Sequence, residues 1–383
     1  MVSISCSTKF HAFFLADQLE KKGLLETIHT SFHSEKNTYL SKFHHRKDKE
    51  IINISNIKTY PHIAITLRLY PKYTYYINDL FDFQVSKHIL KNNTPKVFIG
   101  WSSMSLRSIK ASQKKGIITI LERGSSHISF QNELIAEEYQ EILNKKQFTS
   151  SETIEKELKE YKECDYISIP STFVKKTFLE FGIPEEKLIL NHYGAGEHFT
   201  YVPRQNKKLK ILYFGALTIR KGVFYLFQAL QELKLPKSEY EVWFIGGIDD
   251  DIKPLYSKYV SENWKHFGHV EHYQLNELLN QCDIGVFPTI EDGFGMVINQ
   301  MLKCGIPVIT TPNSGGPDVI EDGKSGFIIP IRDHISIKEK IMYLYQNRDK
   351  LKQMQDYSAN VSSSQLSWND YGVRYSNFIK KLI

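Results

Sequence analysis

The chain has 383 residues, of which 41% are hydrophobic and 24% charged, the balance of a folded protein large enough for two or three domains. Its four scattered cysteines form no Cys-x-x-Cys pair, which argues against a disulfide framework and a zinc site. The net charge of +6 is uneven, because residues 1–120 hold 18 Lys and Arg against 8 Asp and Glu. This basic region suits an anionic partner such as lipid head groups, a phosphorylated acceptor or nucleic acid, or else it is a solvated face.

Two features of the sequence concern location. No run of about 18 apolar residues occurs, so no transmembrane helix is predicted. The apolar part of the N-terminal stretch is interrupted by Lys9, His11 and Asp17, unlike a secretory signal peptide. We therefore expect a cytoplasmic protein that contacts at most the inner face of a membrane.

Short apolar runs alternate with segments of helical period along most of the chain, which predicts βαβ units and parallel sheets. The predicted strands are 2–5, 96–100, 117–122, 166–170, 187–191, 210–215, 241–247, 284–288, 307–311 and 326–330. The predicted helices include 9–22, 132–145, 171–181, 222–233, 274–281, 294–303 and 335–347.

The alternation restarts once, after the polar stretch "YVPRQNKKLK" at 201–210, which predicts a linker. We therefore predict an α/β fold of two Rossmann-like domains facing across a cleft, at residues 1–203 and 204–365. Residues 366–383 are predicted to form an amphipathic helix that packs back on the N-terminal domain. In such folds the ligand lies at the carboxyl ends of the strands.

The segment "SCSTKFHAFFLADQLEKKG" follows the first predicted strand. Ser7 or Thr8 is expected to cap a helix at its N-terminus, because hydroxyl oxygens accept hydrogen bonds from free helix amides. Lys9 and His11 are then predicted to lie in the first turn, facing the cleft. An ordinary capped helix without a binding role explains the same residues.

The segment "LRLYPKYTYYINDLFDF" at 67–83 mixes aromatic and basic residues. Such a mixture is typical of an element that binds a membrane surface or an acceptor. It is also typical of a core helix with tyrosines at its boundary, and the sequence leaves both interpretations open.

The turn "TIEDGFG" at 289–295 lies between a buried strand and a helix that begins near Phe294. Its glycines allow a ligand to approach the backbone, and free amides at a helix start favour a phosphate. Glu291 and Asp292 add carboxylates that accept hydrogen bonds from hydroxyl groups. An amide-lined phosphate site beside a hydroxyl acceptor suits a nucleotide sugar.

The longer stretch "PTIEDGFGMVINQMLKCGIPVITT" resembles the signature of retaining glycosyltransferases of the GT-B fold, family 4 type, the glycosyl transferases group 1. "YFGALTIRKGVFYLFQAL" at 213–230, "NHYGAGEHF" at 191–199 and "GGPDVIEDGKSGFIIP" at 315–330 resemble further segments of that family. The resemblance covers most of 165–345 and is weak in the N-terminal part. It implies transfer from a nucleotide-activated sugar, without a required metal or other cofactor.

The resemblance also implies roles for individual residues. Lys221, helped by Arg220, would pair with the donor diphosphate, and Asp292 would accept hydrogen bonds from the donor sugar. In related enzymes a histidine on the loop after the strand matching 117–122 lies by the donor sugar, which makes His127 the candidate here. The predicted catalytic residues are therefore His127, Arg220, Lys221 and Asp292, and the predicted acceptor-binding residues are Lys9, His11 and Glu122. The predicted donor-binding residues are Gly215, Val270, Glu271, Glu291, Gly293, Phe294, Gly295, Met296, Val297 and Gln300.

Three positions depart from the family pattern. Ala216 stands where an arginine is usual, Asp292 where a glutamate is usual, and Gln300 where a ribose-binding glutamate is usual. Glu291 is a substitute candidate for the first acid. An amide at 300 still bonds a ribose hydroxyl, although without charge.

The predicted function is a glycosyltransferase acting with retention in cell-surface polysaccharide or glycolipid assembly. Its predicted partners are a nucleotide-sugar donor, a glycan or lipid-linked acceptor and an anionic membrane surface, with no nucleic acid. Two alternatives stay open: a nucleotide-sugar epimerase, and a non-catalytic nucleotide- or glycan-binding protein whose site has decayed, for which Ala216 and Gln300 speak.

Overall fold

The computed structural model describes residues 1–37, 52–92, 95–147, 149–365 and 367–383. Its N-terminal part is a parallel sheet of seven strands in the order β3-β2-β1-β4-β5-β6-β7. The strands are β1 (Val2–Ser5), β2 (Leu25–Thr30), β3 (Ile57–Thr59), β4 (Val97–Trp101), β5 (Ile118–Glu122), β6 (Tyr166–Ile169) and β7 (Leu188–Leu190). The helices are α1 (Ala12–Lys21), α2 (Pro61–Leu69), α3 (Thr74–Lys91), α4 (Leu106–Gln113), α5 (Ile128–Leu143), α6 (Ser151–Glu163) and α7 (Thr172–Glu180).

The second part is a parallel sheet of six strands in the order β10-β9-β8-β11-β12-β13. The strands are β8 (Leu209–Phe214), β9 (Tyr240–Ile245), β10 (Trp264–Gly268), β11 (Ile284–Phe287), β12 (Val308–Thr310) and β13 (Gly326–Ile328). The helices are α8 (Val223–Gln231), α9 (Lys253–Tyr259), α10 (His272–Leu279), α11 (Met296–Lys303), α12 (Gly316–Val319), α13 (His334–Gln346), α14 (Arg348–Gln365) and α15 (Trp368–Leu382).

The predicted α/β class with two parallel sheets is confirmed, and each of the ten predicted strands corresponds to an observed one. The central strands β1, β4 and β11 are buried along their whole length, which explains why they appear in the sequence as short apolar runs. The strands β2, β3 and β10 were not predicted. They lie at or next to a sheet edge and mix polar with apolar residues, so they lack that signal.

The first strand of each sheet lies where the strand order reverses, with β1 between β2 and β4 and β8 between β9 and β11. At such a point the loops at the carboxyl ends diverge and leave a crevice. The two crevices open toward a common cavity, because residues that follow β1, β4 and β5 line it together with residues that follow β8 and β11.

Helix α15 begins with a capping box, in which Ser367 and Asp370 each bond the other's backbone amide. Its buried face lies on α1 of the N-terminal part. The Trp368 and Phe14 rings stack with centroids 4.2 Å apart, and Gly372 leaves room for the side chain of Gln18. The domain boundaries at 203 and 365 stay a prediction.

Candidate functional site

A cavity of about 580 Å³ lies between the carboxyl ends of the two sheets. This size is within the usual range for small-molecule sites. Its N-terminal wall consists of Phe10, His11, Thr74, Tyr75, Asn78, Trp101, Ser102, Ser103, Met104, Arg123, Gly124, Ser125, Thr153 and Tyr193. Its C-terminal wall consists of Gly215, Lys221, Phe287, Asp292, Phe294, Gly295, Met296 and Val297.

The C-terminal wall joins a cation, a carboxylate and the start of a helix. Lys221 precedes α8, Asp292 follows β11, and the Lys221 ammonium bonds the Asp292 carboxylate across the wall. Gly295 caps α11 with a φ of 76°, a backbone conformation that a side chain would strain. The first amides of α11, at Met296 and Val297, therefore border the same space as the ammonium group, an arrangement that favours phosphate oxygens.

Burial lowers the pKa of Lys221, and the nearby Arg220 guanidinium adds to this effect, whereas Asp292 opposes it. An additional negative charge near Lys221 would raise its pKa again, since an anion stabilises the protonated form of the amine. Only one carboxylate, Asp292, bonds Lys221 among the described residues. A diphosphate entering the cavity would supply the additional negative charge.

Glu291 and Arg220 were predicted as site residues, but neither of them lines the cavity. Glu291 is fully buried outside the cavity lining, where its carboxylate accepts from the Arg220 Nε at 2.6 Å and the Gln131 Nε2 at 2.9 Å. It also accepts from the backbone amide and hydroxyl of Ser126 at 3.0 and 2.8 Å. Arg220 further donates to the Ser125 hydroxyl at 3.2 Å. Glu291 was predicted to bind the donor, but in this structure hydrogen bonds from Arg220, Ser126 and Gln131 occupy its carboxylate.

Burial opposes ionisation of Glu291, but Arg220 and the Ser126 donors outweigh it and lower its pKa to about 2. Arg220 in turn has a raised pKa: its burial is outweighed by Glu291 and Asp292. The pair is therefore charged at neutral pH. It joins the loop after β5 to the turn after β11 rather than pointing into the cavity.

Gly293 lies at the closest approach of the same two loops. A Cβ at this position would lie 1.9 Å from the carbonyl oxygen of Gly124, so no side chain fits here without moving the backbone. The Gly293 carbonyl also accepts from the Ser171 hydroxyl at 2.5 Å. Gly293 was predicted to contact the donor, but the structure places it in the contact between the two halves of the chain.

His11 is the histidine that lines the cavity. Its ring lies 4.2 Å from the Tyr193 ring and 5.0 Å from the Trp101 ring, and its Nε2 is 3.0 Å from the Glu122 carboxylate. Glu122 itself is 1% exposed and orients His11 instead of facing the cavity. The helix α1 begins after His11, so Ser7 and Thr8 are not its caps as predicted.

His127 does not reach the cavity, contrary to prediction. The helix α5 begins at Ile128, four residues before the predicted start, so His127 is its N-cap and accepts from the Ser129 amide at 3.3 Å. The ring is 2% exposed and packs against Phe181, Tyr161 and Phe178 with centroids 4.4 to 5.2 Å apart. A catalytic role for His127 is therefore not supported by its position.

The variant His127→Phe tests whether His127 is a buried structural residue and not a catalytic one. Burial, with Arg123 next to it, lowers the pKa of His127 from 6.5 to about 4. Between pH 6.5 and pH 4, His127 is protonated in the unfolded chain but stays neutral in the folded chain. Lowering the pH through this window therefore reduces the free energy of unfolding by about 3 kcal/mol. Urea unfolding at pH 7 and pH 4.5 should show a smaller loss in His127→Phe than in the wild type. Transfer activity at pH 7 should persist, and its disappearance in a folded variant would restore the catalytic assignment.

The other predicted site residues divide into two groups. Gly215, Phe294, Gly295, Met296 and Val297 line the cavity together with Lys221 and Asp292. Four others do not line it: Lys9, Val270, Glu271 and Gln300. Glu271 caps α10 on the surface, and Gln300 lies one turn along α11 from the cavity.

Most residues of the N-terminal wall were not predicted from the sequence. Tyr75 and Asn78 come from α3, and Ser7 fixes Asn78 by donating to its side-chain oxygen at 2.9 Å. Phe10 is 60% exposed at the cavity rim with a φ of 34°, an unusual value for a non-glycine residue. Nothing local in the sequence signals these side chains, because their wall forms only when α3 lies beside the segments that follow β1 and β4.

Among the residues that the structure describes, no helix has both the length and the apolar character to cross a membrane. Within the same residues, no group of three or more His, Cys, Asp or Glu side chains is arranged to hold a metal ion.

Comparisons of the sequence with known proteins find similarity to glycosyltransferases. Residues 197–361 match the family model described as glycosyl transferases group 1. An uncharacterized glycosyltransferase of Methanocaldococcus jannaschii is 22% identical over 71% of this chain and 69% of its own length. The capsular polysaccharide biosynthesis glycosyltransferase CapM of Staphylococcus aureus is 28% identical over 52% of this chain, which spans only 54% of CapM.

Solved structures extend the similarity to the whole chain. Sucrose-phosphate synthase from Thermosynechococcus elongatus superposes with a TM-score of 0.76 at 14% identity, over 100% of this chain and 98% of that chain. HepE from Anabaena, in complex with UDP and glucose, gives a TM-score of 0.70 at 14% identity, over 99% of each chain. At such identities the likeness establishes the fold, the GT-B arrangement of two facing domains.

Proposed function

We propose that this chain transfers a sugar from a nucleotide-sugar donor to an acceptor hydroxyl, and the match of residues 197–361 to the model of the glycosyl transferases group 1 supports the proposal. The observation that carries the proposal is the C-terminal wall, where Lys221, Asp292 and the start of α11 border one cavity. A diphosphate needs the cation and the amides, and a sugar needs the carboxylate. The HepE structure with UDP and glucose supports such a donor.

In the proposed donor complex, the Lys221 ammonium turns from Asp292 to the diphosphate. Asp292 is then free to accept hydrogen bonds from donor hydroxyls. The ammonium group and the α11 amides stabilise the negative charge that develops on the departing phosphate oxygen. These groups carry the charge without a metal ion, so we propose a metal-independent reaction.

We further propose that the sugar keeps its anomeric configuration, as the resemblance to the retaining family implies. The acceptor oxygen attacks the anomeric carbon on the face that the diphosphate leaves, and the departing phosphate oxygen takes the acceptor proton. The anomeric carbon–phosphate bond breaks and a new glycosidic bond forms. The protein holds the two substrates in this geometry, which is the main source of acceleration in such a step.

The acceptor lies on the N-terminal wall in this proposal. His11 is oriented by Glu122 and framed by Trp101 and Tyr193, so it presents a fixed polar edge beside aromatic surface. Aromatic faces with a few polar groups are a common lining for sugars and other small ligands. CapM is named for capsular polysaccharide biosynthesis, and another relative for colanic acid biosynthesis, which favours a surface polysaccharide as the product.

A thermal-shift screen with UDP-, GDP-, ADP- and CMP-sugars, without metal, tests the proposal. A donor present at about 100 times its dissociation constant adds about 2.7 kcal/mol to the free energy of unfolding, and we expect this stabilisation with one nucleotide class. The stabilising donor is then incubated with the protein, and the products are followed by NMR. Release of the nucleotide with the sugar passed to water, the anomeric configuration being retained in the first product, supports a transferase. An epimerised donor would indicate the alternative enzyme, and binding without turnover would indicate a decayed site.

A further inference from the structure

Helix α3 has an apolar face on each side. One side packs into the N-terminal core through Ile77, Phe81, Val85 and Ile89. The other side faces solvent and carries Tyr76, Leu80, Phe83 and Leu90, with Tyr73 directly before the helix. These five side chains are between 39% and 64% exposed, and their spacings of three, four, three and seven residues keep them on one side of the helix.

The neighbouring helix α2 extends this exposed surface. Gln84 of α3 contacts His62 of α2 at 2.7 Å, so the two helices lie side by side. Ile65, Leu69 and Tyr70 are 39% to 64% exposed at the α2 end. We name the following eight residues the α2–α3 apolar face: Ile65, Leu69, Tyr70, Tyr73, Tyr76, Leu80, Phe83 and Leu90. Single exposed apolar residues are ordinary, but a grouped set on two adjacent helices marks a contact surface.

The charges around this face indicate which partner it contacts. Four exposed cations lie along it, and none of them forms an ion pair with a carboxylate within the described ranges: Arg68, Lys72, Lys87 and Lys91. The two carboxylates of α3 are occupied, since Arg107 and Lys156 hold Asp79, and the Ser108 hydroxyl and amide hold the buried Asp82. The face is therefore apolar and positive. A second copy of the same face would bring like charges together, whereas an anionic lipid surface complements them.

The same helix reaches the cavity. Thr74, Tyr75 and Asn78 line its N-terminal wall, while Tyr73 and Tyr76 point outward from the same turns. The acceptor wall and the α2–α3 apolar face are therefore less than one helical turn apart along the chain. Tyrosines at this position suit the head-group region, where a ring with an apolar body and a polar tip is favoured.

We propose that the α2–α3 apolar face docks on an anionic lipid bilayer and presents the N-terminal wall of the cavity to a lipid-linked acceptor. The membrane contact follows from the face itself, whereas the acceptor class rests on the function proposed above. The partner is a bilayer surface, not a spanning contact, because the exposed side chains lie along one side of two packed helices.

Co-sedimentation with vesicles tests the contact on the full chain. We expect binding to vesicles of phosphatidylcholine and phosphatidylglycerol in equal parts, and much weaker binding to phosphatidylcholine alone or at high salt. The double variant Tyr76→Ser/Phe83→Ser should weaken binding at least about tenfold, because it removes two buried rings from the lipid contact. Each of Lys72→Glu and Lys87→Glu should weaken it about fivefold or more.

Two controls separate this inference from the proposed function. Tyr273→Ser and Tyr343→Ser remove tyrosines that are 69% and 41% exposed in the C-terminal part, and should leave vesicle binding unchanged. The thermal shift with the donor should be the same in every variant, so a failed donor screen and a failed vesicle assay are distinguishable.

Absence of binding to the anionic vesicles would overturn the proposal. So would variants that convert a dimer to a monomer in sedimentation velocity without changing vesicle binding, since the face would then contact a second copy.

Discussion

Lys221→Ala is expected to lower kcat for sugar transfer about 10³-fold, the cost of removing one charged donor from a developing oxyanion. Lys221 lines the cavity together with the start of α11, and its only ion-pair partner within the described chain is Asp292. The variant should remain folded, because the ammonium group borders open space. Initial rates with the donor identified by the thermal-shift screen measure the effect.

A double variant distinguishes direct contact from simple neutralisation. In Lys221→Ala the Asp292 carboxylate stays without its cation and would repel a diphosphate. If Lys221 contacts the phosphate itself, Lys221→Ala/Asp292→Asn remains inactive and binds the donor weakly. Recovery of donor binding in the double variant would contradict the direct contact. Lys324→Ala is the matched control, since Lys324 pairs with Glu321 on the surface of the same domain and should have no effect on rate.

Glu291→Gln is expected to have the largest effect on stability. The wild-type carboxylate satisfies four donors from Arg220, Gln131 and Ser126. An amide presents one NH₂ group to these donors and removes the charge that pairs with Arg220. Removing one partner of a buried ion pair costs about 3–5 kcal/mol, and the lower end, about 3 kcal/mol, applies because the Arg220 side chain is 34% exposed.

Urea unfolding at pH 7 measures this loss, with Glu321→Gln as the control for an exposed ion pair, where a much smaller change is expected. The contact joins the two halves of the chain, so Glu291→Gln should also reduce transfer activity by loosening domain closure. An unchanged unfolding midpoint would show that Glu291 does not hold the halves together. Because its folded pKa of about 2 is below the usual 4.5, the stabilisation is complete above pH 4.5 and declines as the pH falls toward 2.

Much of the C-terminal wall could be predicted from the sequence because its determinants are local. The apolar run of β11, the glycines after it and the start of α11 follow one another within a few residues, and together they specify a strand, a turn and a helix start. Asp292 and Gly295 therefore lie together on one wall of the cavity. The departures Ala216 and Gln300 do not line it, so they leave this arrangement intact.

The direction of the neighbouring Glu291 side chain could not be predicted from the sequence. It is one residue from Asp292, and a sequence cannot tell which of two adjacent acids faces a ligand when the turn is irregular. Two of the partners that hold Glu291, Ser126 and Gln131, lie about 160 residues away on the loop after β5 and on α5, so its direction depends on how the domains meet. His127 was misplaced for a related reason, since the start of α5 sets whether its ring faces the cleft or the core.

Short-range periodicity and turn residues specify the α/β class, the order of most strands and helices, and the turn that carries Asp292 and the α11 amides. The packing of distant segments, in contrast, decides that His127 does not line the cavity and that Glu291 and Arg220 join the two halves of the chain. It also decided that α3 exposes one of its two apolar faces. Each of these outcomes depends on contacts between segments far apart in the chain, and no local pattern encodes the direction of a side chain toward a distant surface.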